Sequence, residues 1–295
     1  MKKFVLYCKS YSNDVLRVKR LAESIEQNNP ENIPFYVSVP ESDIVLFQDA
    51  LAGKNIQLIK DEDIIRANPA LILEKIKALP GWVSQQIIKS EFWRVGISES
   101  YLCLDSDCVF IRPLHLTDFI SPDGYPYTIV HEAKELLQFS INNKMEKVCE
   151  DFHKEHQKIM DIFERKGRHY EFGPSPLLWC RDVWIALDEQ FLQPRKMNFY
   201  DAIVQFPGEM QWYGEAMLKY HPYPLLPVEP YFRVYHYERQ FVTASQQGET
   251  INHLARDYLG VCYQSNWEKK YDFIQKPLMS RIARWVRRNI FRRYR

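Results

Sequence analysis

The first 120 residues alternate between short apolar runs and segments with apolar side chains at helical spacing. The runs Phe4–Cys8, 34–40 (PFYVSVP) and Asn55–Ile59 are typical of buried strands. Between them, residues 15–28 and 42–51 place apolar side chains three and four positions apart, which predicts two helices. This alternation predicts an α/β fold with a mostly parallel, Rossmann-type sheet flanked by helices.

A further helix and strand carry the most unusual pattern in the chain. Residues 84–97 (SQQIIKSEFWRVGI) predict a helix, which leads into an apolar strand from Tyr101 to Phe110. Asp105 and Asp107 interrupt that strand, although charged side chains are rarely buried unless something pairs with them. Ligands of parallel sheets bind beyond the carboxyl ends of the strands, so we expect both aspartates to face a ligand there.

The remainder of the chain has a different pattern. From Asn143 to Lys166, apolar residues recur at i, i+3, i+4 and i+7, which predicts an amphipathic helix. The segments around it are rich in Pro, Tyr and Trp, and we interpret them as short strands and loops packed on the sheet.

Composition and charge narrow the class of protein. Hydrophobic residues make up 46% of the 295 residues and charged residues 26%, as in an ordinary globular protein. Seven arginines fall in residues 281–295, and without them 32 basic residues face 38 acidic ones. A mildly acidic body argues against nucleic-acid binding. Six scattered cysteines and the lack of a signal-like or membrane-length apolar run favour a cytoplasmic location.

Two carboxylates leaving one buried strand repel each other unless a cation lies between them. Mg²⁺ and Mn²⁺ prefer oxygen ligands and leave positions for substrate phosphates, so Asp105 and Asp107 predict a site for such a cation. A solvated turn is the alternative. Residues 61–63 (DED) repeat the spacing, but they lie in a polar run with no strand leading into it, and we expect no function there.

Residues 89–114 (KSEFWRVGISESYLCLDSDCVFIRPL) resemble the DxD block of GT-A-fold glycosyltransferases, especially bacterial enzymes that build surface polysaccharides from nucleotide sugars. The resemblance implies that Asp105 and Asp107 contact the ribose and the metal-bound diphosphate. It also implies donor contacts from Lys89 and Arg94 on the preceding helix, and from Gln86.

The same resemblance implies other site residues. The end of the first strand would face the nucleotide, with Tyr7 stacking on the base and Lys9 or Ser10 bonding to it. GT-A enzymes often take a third metal ligand from a late residue. His236 is the preferred candidate because it lies in a strand-like aromatic segment, and His131 is the second.

The general base of an inverting enzyme would be an acidic residue. Residues 207–220 (PGEMQWYGEAMLKY) offer Glu209 and Glu215, and we prefer Glu209 because a Pro-Gly turn places it at a helix N-terminus. We expect the helix dipole there to lower the pKa of Glu209.

The C-terminal residues predict a membrane-associated helix. Residues 278–295 separate arginines from Ile282, Trp285 and Val286 around a helical wheel, as in interfacial amphipathic helices. We therefore divide the chain into a nucleotide-sugar-binding half (1–125), an acceptor-binding half of the same domain (126–270) and a basic tail (271–295).

Together these features predict a metal-dependent glycosyltransferase of the hexosyltransferase type. It would use Mn²⁺ or Mg²⁺, a nucleotide-sugar donor and a saccharide or lipid-linked saccharide acceptor, in bacterial lipopolysaccharide or capsule synthesis. It would lie on the inner face of the cell membrane. The alternatives are a haloacid-dehalogenase-type phosphatase, which also has a strand followed by DxD, and a non-catalytic membrane-docked scaffold.

Overall fold

The computed structural model describes residues 1–273, in which the backbone forms ten strands and twelve α-helices. The strands are β1 (Lys2–Lys9), β2 (Phe35–Val39), β3 (Ile56–Lys60), β4 (Ser98–Leu104), β5 (Cys108–Phe110), β6 (Thr128–Ile129), β7 (Leu177–Cys180), β8 (Pro227–Val228), β9 (Phe232–Tyr235) and β10 (Gly260–Tyr263). The helices are α1 (Val15–Asn28), α2 (Ile44–Ala50), α3 (Asp61–Arg66), α4 (Leu73–Lys77), α5 (Gly81–Glu91), α6 (Lys134–Asn142), α7 (Glu146–Phe163), α8 (Arg181–Ala186), α9 (Phe199–Gln205), α10 (Glu209–Tyr220), α11 (Glu238–Gln246) and α12 (Ile251–Asp257).

The main sheet has five strands in the order β3-β2-β1-β4-β7. Strands β1 to β4 pair in parallel, and β7 runs antiparallel to β4 at the edge. The predicted α/β class, with a mostly parallel sheet flanked by helices, is confirmed. The carboxyl ends of β1, β2, β3 and β4 lie along one edge of the sheet. Lys9, Asp61 and Asp105 lie at this edge.

Both faces of the main sheet are buried because helices cover each of them. On one face, Val18 and Leu21 of α1 pack with Phe47 of α2. On the other, Ile87 of α5 and Trp212 of α10 belong to a second apolar cluster. Side chains of β1 alternate between the two clusters, which explains why this strand is apolar at successive positions.

The strand predicted from Tyr101 to Phe110 is wrong in one respect, because the chain breaks it at the aspartates. Strand β4 belongs to the main sheet, whereas β5 belongs to a three-stranded sheet in the order β5-β10-β9. The preceding helix also ends early. It stops at Glu91, and a single 3₁₀ turn leads to Gly96, whose φ of 70° lies in the left-handed region that favours glycine.

Strands from the second half of the chain pair with strands from the first half. Strand β7 pairs with β4 in the main sheet, and β10 pairs with β5, the strand that directly follows Asp107. The amphipathic helix predicted between Asn143 and Lys166 is confirmed as α7. The tail predicted at 278–295 lies outside the described residues.

Candidate functional site

The acidic residues Asp105 and Asp107 lie in the turn between β4 and β5, at the carboxyl edge of the main sheet. The backbone N–H of Cys108 donates to the Asp105 carbonyl at 3.1 Å and closes the turn. The Asp105 side chain is 41% exposed, whereas Asp107 is buried. The turn therefore presents one carboxylate to solvent and holds the other inside the protein.

Two groups from the end of the chain hold Asp107. The Cys262 thiol donates to its Oδ1 at 3.0 Å, and the backbone N–H of Ser265 donates to its Oδ2 at 2.7 Å. Burial, together with repulsion from Asp105, raises the pKa of Asp107 to about 6. Neither neighbour carries a positive charge, so the ionised form of Asp107 lacks a full counter-charge here.

Asp107, Cys108 and Cys262 each bring a potential ligand atom within 4.8 Å of the others. Thiols favour softer metals than carboxylates do. A hydrogen bond involving Cys108, together with burial, raises the pKa of Cys262 well above its usual value. Cys262 is therefore a protonated donor to Asp107, which leaves the carboxylate oxygens as the ligands offered to a hard cation.

Lys89 on α5 supplies a protein cation to the other carboxylate. Its Nζ lies 2.7 Å from Asp105 Oδ1 and 3.5 Å from Glu209 Oε1. Burial alone would lower the pKa of Lys89, but Asp105 and Glu209 hold it well above its usual value. The charge of Asp105 is thus partly balanced within the chain, whereas the DxD pattern alone suggested two carboxylates without a protein counter-charge.

Glu209 is the first residue of α10, as predicted, but the expected direction of its pKa shift is wrong. Burial raises the pKa of Glu209, while the charge of Lys89 opposes that rise. The side chain is 10% exposed, so desolvation outweighs the partial charge of the helix N-terminus. Glu209, Lys89 and Asp105 form one continuous ion network.

The larger cavity has a volume of about 880 Å³ and opens beside this network. Asp105, His131 and His236 border it, together with Gln264 and Met210. Burial lowers the pKa of His236 to about 4, which keeps its ring neutral and able to act as a ligand. The structure thus brings Asp105 to the same cavity as both histidines that the sequence suggested.

The smaller cavity, of about 500 Å³, lies at the carboxyl ends of β1, β2 and β3. Lys9, Asp61, Trp82 and Ser265 are among its lining residues. Lys9 Nζ lies 2.9 Å from Asp61 Oδ2, and among the described residues Asp61 Oδ1 and Ser10 Oγ are buried without a hydrogen-bond partner. Asp61 lines this cavity, so its unpartnered oxygen suits a polar ligand, whereas Ser10 is not among the lining residues.

The interpretation of residues 61–63 as a polar run without a preceding strand is wrong. Strand β3 ends at Lys60 and leads directly into Asp61. The useful signal was the apolar run Asn55–Ile59, which already predicted a strand ending beside this aspartate.

Comparisons with known proteins place the chain in a family. A model described as a family of unknown function (DUF6492) matches residues 4–267. The chain belongs to this family. No curated protein matches it. A solved structure of the galactosyltransferase LgtC, in complex with donor and acceptor sugar analogues, is similar with a TM-score of 0.48 and 13% identity. The match covers 94% of this chain and 98% of that one. At that identity the likeness gives no information on activity or substrate.

Two predicted donor contacts lie away from both cavities in this family member. Tyr7 is fully buried, its ring stacks on Phe92 with centroids 3.7 Å apart, and its hydroxyl bonds to Ser38 at 2.9 Å. It has no free face for a nucleobase. Gln86 donates to the carbonyl of Trp82 at 3.1 Å, within its own helix.

Two predicted charged residues instead form internal ion pairs. Arg94 binds Glu91 at 2.6 Å and Asp188 at 2.7 Å. Glu215 accepts two hydrogen bonds from Arg165, at 2.6 and 2.7 Å, and is buried. Both side chains are occupied in holding elements together, because buried charges require partners. The sequence pattern placed Arg94 and Glu215 near candidate site residues, but it did not predict their ion-pair partners.

Proposed function

We propose that this chain is a metal-dependent glycosyltransferase that moves a sugar from a nucleotide-sugar donor to a saccharide acceptor. One observation carries the proposal: the acidic turn joins the two cavities. Asp105 borders the larger cavity, and Ser265, which holds Asp107, borders the smaller one. A nucleotide sugar has the same order of parts, with a nucleoside, a diphosphate and a sugar in a row.

The residues at the turn fit a hard divalent cation such as Mn²⁺ or Mg²⁺. Asp105 and Asp107 supply carboxylate oxygens, and the raised pKa of Asp107 reflects a buried charge that a cation would stabilise. His236 supplies a neutral nitrogen beside the same cavity. When bound, the cation stabilises the charge that develops on the departing diphosphate.

The remaining roles fall to residues around the two cavities. Lys9 and Asp61 line the smaller cavity and offer polar contacts to the nucleoside end of the donor. Lys89 holds Asp105 in place and shares its charge with Glu209. We assign the acceptor base to Glu209 rather than Glu215, because Glu209 belongs to the ion network at the acidic turn, whereas Glu215 is held by two hydrogen bonds from Arg165.

Calorimetry with nucleoside diphosphates in the presence and absence of Mn²⁺ tests the binding step. We expect Mn²⁺-dependent binding of at least one nucleoside diphosphate, and then hydrolysis or transfer when the matching nucleotide sugar is supplied. Binding that is equal with Mn²⁺ and with a chelator would argue against the metal role. An absence of binding to any nucleoside diphosphate would overturn the proposed function.

Paired carboxylate variants test the assignment of the base. Glu209→Gln should retain nucleotide binding and lose sugar transfer, because the amide keeps the shape and removes the base. Glu215→Gln should lower the stability of the fold, because Arg165 loses its ion-pair partner. The folded protein should still catalyse sugar transfer. The opposite outcome would exchange the two roles, and full activity in both variants would indicate a retaining reaction without a protein base.

The cellular setting is proposed from sequence features. None of the helices in residues 1–273 is long and apolar enough to cross a membrane. The basic residues of 278–295, outside the described range, favour docking on an anionic membrane, where a lipid-linked acceptor for bacterial surface glycans would lie. Co-sedimentation of the full chain and a 1–277 truncation with anionic vesicles tests this, and equal binding of both would exclude the tail as the anchor.

A further inference from the structure

Two histidines meet at the surface, away from the acidic turn. His153 lies on α7, and His169 lies in the segment after this helix. Their Nδ1 atoms are 3.0 Å apart. Two ring nitrogens at this distance must share one proton or bind a common cation, because two lone pairs facing each other repel.

A chain of hydrogen bonds fixes which nitrogen of His169 carries its proton. Asp161 Oδ1 accepts from Gln157 Nε2 at 2.7 Å, so the Gln157 amide turns its oxygen the other way. That oxygen lies 3.2 Å from His169 Nε2 and accepts its N–H. His169 therefore keeps a free lone pair on Nδ1, the atom that faces His153. Metal-binding histidines usually have this kind of outer partner.

The distance between the two nitrogens matches a shared transition-metal ion. With metal–nitrogen bonds of about 2.0 to 2.1 Å in tetrahedral geometry, two ligand nitrogens lie roughly 3.3 Å apart. The observed 3.0 Å therefore requires the rings to separate by only about 0.3 Å. Imidazole nitrogens favour zinc, copper and nickel, whereas carboxylates favour magnesium and manganese.

We propose that His153 and His169 bind Zn²⁺, or a similar late transition-metal cation, through their Nδ1 atoms, at a site separate from Asp105 and Asp107. The other coordination positions face an open cleft of about 440 Å³, which Glu132 also borders. His156, the third histidine of this region, does not take part. Its Nδ1 lies 2.7 Å from the Phe152 carbonyl, and its Nε2 lies 3.1 Å from Gln211.

The cleft shares a wall with the larger cavity. Glu132, Lys134 and Arg168 border both spaces. Arg168 is the residue before His169 and forms an ion pair with Glu132. A cation between His153 and His169 would tie the segment after α7 to the helix itself and thereby fix Arg168 at the rim of the larger cavity. This role does not depend on the proposed sugar transfer.

Calorimetric titration with Zn²⁺, in excess Mg²⁺ to occupy the carboxylate site, tests the proposal. The comparison is between the full chain, His153→Gln, His169→Gln and the matched control His253→Gln, an exposed helical histidine outside the pair. We expect one binding event that both pair variants lose and the control keeps. Cysteines also bind zinc, so the decisive event is the one that both variants lose. Identical isotherms in all four proteins would overturn the site.

Variants of the orienting residue distinguish a built site from surface binding. Gln157→Leu removes the acceptor for His169 Nε2 and should weaken Zn²⁺ binding by about 10- to 100-fold. Gln157→Glu keeps an acceptor and should retain the affinity. Hydrogen exchange should show slower amide exchange in residues 164–172 when Zn²⁺ binds the wild type, with no change in His153→Gln. Unchanged affinity in Gln157→Leu, or unchanged exchange in the wild type, would contradict the proposed arrangement.

Discussion

Two acidic triplets occupy the same edge of the main sheet and behave differently. Asp61–Glu62–Asp63 comes after β3, and Asp105–Ser106–Asp107 comes after β4. In each triplet the first aspartate pairs with a buried lysine, at 2.9 Å for Lys9 and 2.7 Å for Lys89. Both first aspartates therefore have a lysine counter-charge, although Asp61 is buried and the Asp105 side chain is 41% exposed. The third positions differ in their partners as well as in their burial.

The secondary-structure element after each triplet decides the position of the third residue. Asp61 begins α3, and residues two apart on a helix point in different directions, so Asp63 reaches solvent and pairs with Arg66 at 3.0 Å. Asp107 instead enters β5 and is held by Cys262 and Ser265. In this second triplet the two carboxylates interact, because repulsion from Asp105 contributes to the raised pKa of Asp107. The same DxD spacing therefore gives its third residue different surroundings at the start of a helix and in a turn between strands.

The largest expected effect is on catalysis. Asp107→Asn should lower sugar transfer by about 10³-fold, equivalent to roughly 4 kcal/mol of transition-state stabilisation, because it removes a carboxylate from the proposed cation site. Asp63→Asn is the matched control and should stay close to the wild-type rate. The measurement is transfer by chelator-treated enzyme after Mn²⁺ is restored.

The fold should survive the Asp107→Asn change. The amide keeps an oxygen for the Ser265 N–H, and its NH₂ group can face the Cys262 sulfur, so near-identical circular dichroism is expected. Wild-type transfer in Asp107→Asn, or an equal loss in Asp63→Asn, would remove the distinction between the two triplets.

An intermediate effect on stability concerns Lys9, the lysine that pairs with Asp61 of the first triplet. Lys9→Met leaves Asp61 buried without its ion-pair partner and should lower the free energy of unfolding by about 3 kcal/mol. Arg66→Met breaks the exposed pair with Asp63 and should cost less than about 0.5 kcal/mol. Urea unfolding of both variants measures the difference.

A double variant separates the charge from the packing of Lys9. Lys9→Met with Asp61→Asn should recover most of the lost stability, because no unpaired charge remains. If the double variant is as unstable as the single one, the loss comes from packing and not from the carboxylate.

The smallest expected effect is on the pH dependence of the free energy of unfolding. The pKa of Asp107 is raised to about 6, so the folded protein binds this proton more tightly than the unfolded chain does. The contribution of Asp107 to stability therefore falls as pH rises from about 4 to 6. Between pH 4.5 and 7.5, metal-free wild type should lose about 2 kcal/mol relative to Asp107→Asn. Asp63→Asn should track the wild-type profile, and parallel curves for wild type and Asp107→Asn would contradict the raised pKa.

The sequence predicted the local elements well and the tertiary partners poorly. Periodicity located α1, α7 and the four parallel strands of the main sheet because these signals depend only on neighbouring residues, but it did not locate the antiparallel edge strand β7. It did not predict that β5 joins another sheet, since that pairing depends on β10. Lys89 was identified as a basic position near the donor, but its contacts with Asp105 and Glu209 exist only in the folded chain.

Burial explains the remaining errors at the site. In the sequence Tyr7 is an aromatic residue near the end of a strand, which favoured a contact with the nucleotide. In the structure Phe92, in the turn after α5, stacks on its ring, and the surrounding core buries it completely. Glu209 has the helix position that was predicted, but the surrounding residues exclude enough water to reverse the direction of its pKa shift. Neither effect can be derived from spacing, because both depend on elements distant in the chain.

The attachment of Asp107 to β10 also has a consequence for biosynthesis. Cys262 and Ser265 lie 155 and 158 residues after Asp107. A ribosome that adds about 5 to 20 residues per second needs roughly 8 to 30 s to cover that distance. During this interval the nascent chain already contains β4 and Lys89, but it lacks the two groups that hold Asp107. The acidic turn reaches its final geometry only after residue 265 has been made, so a chain that stalls before residue 260 carries the main sheet and an unfinished site.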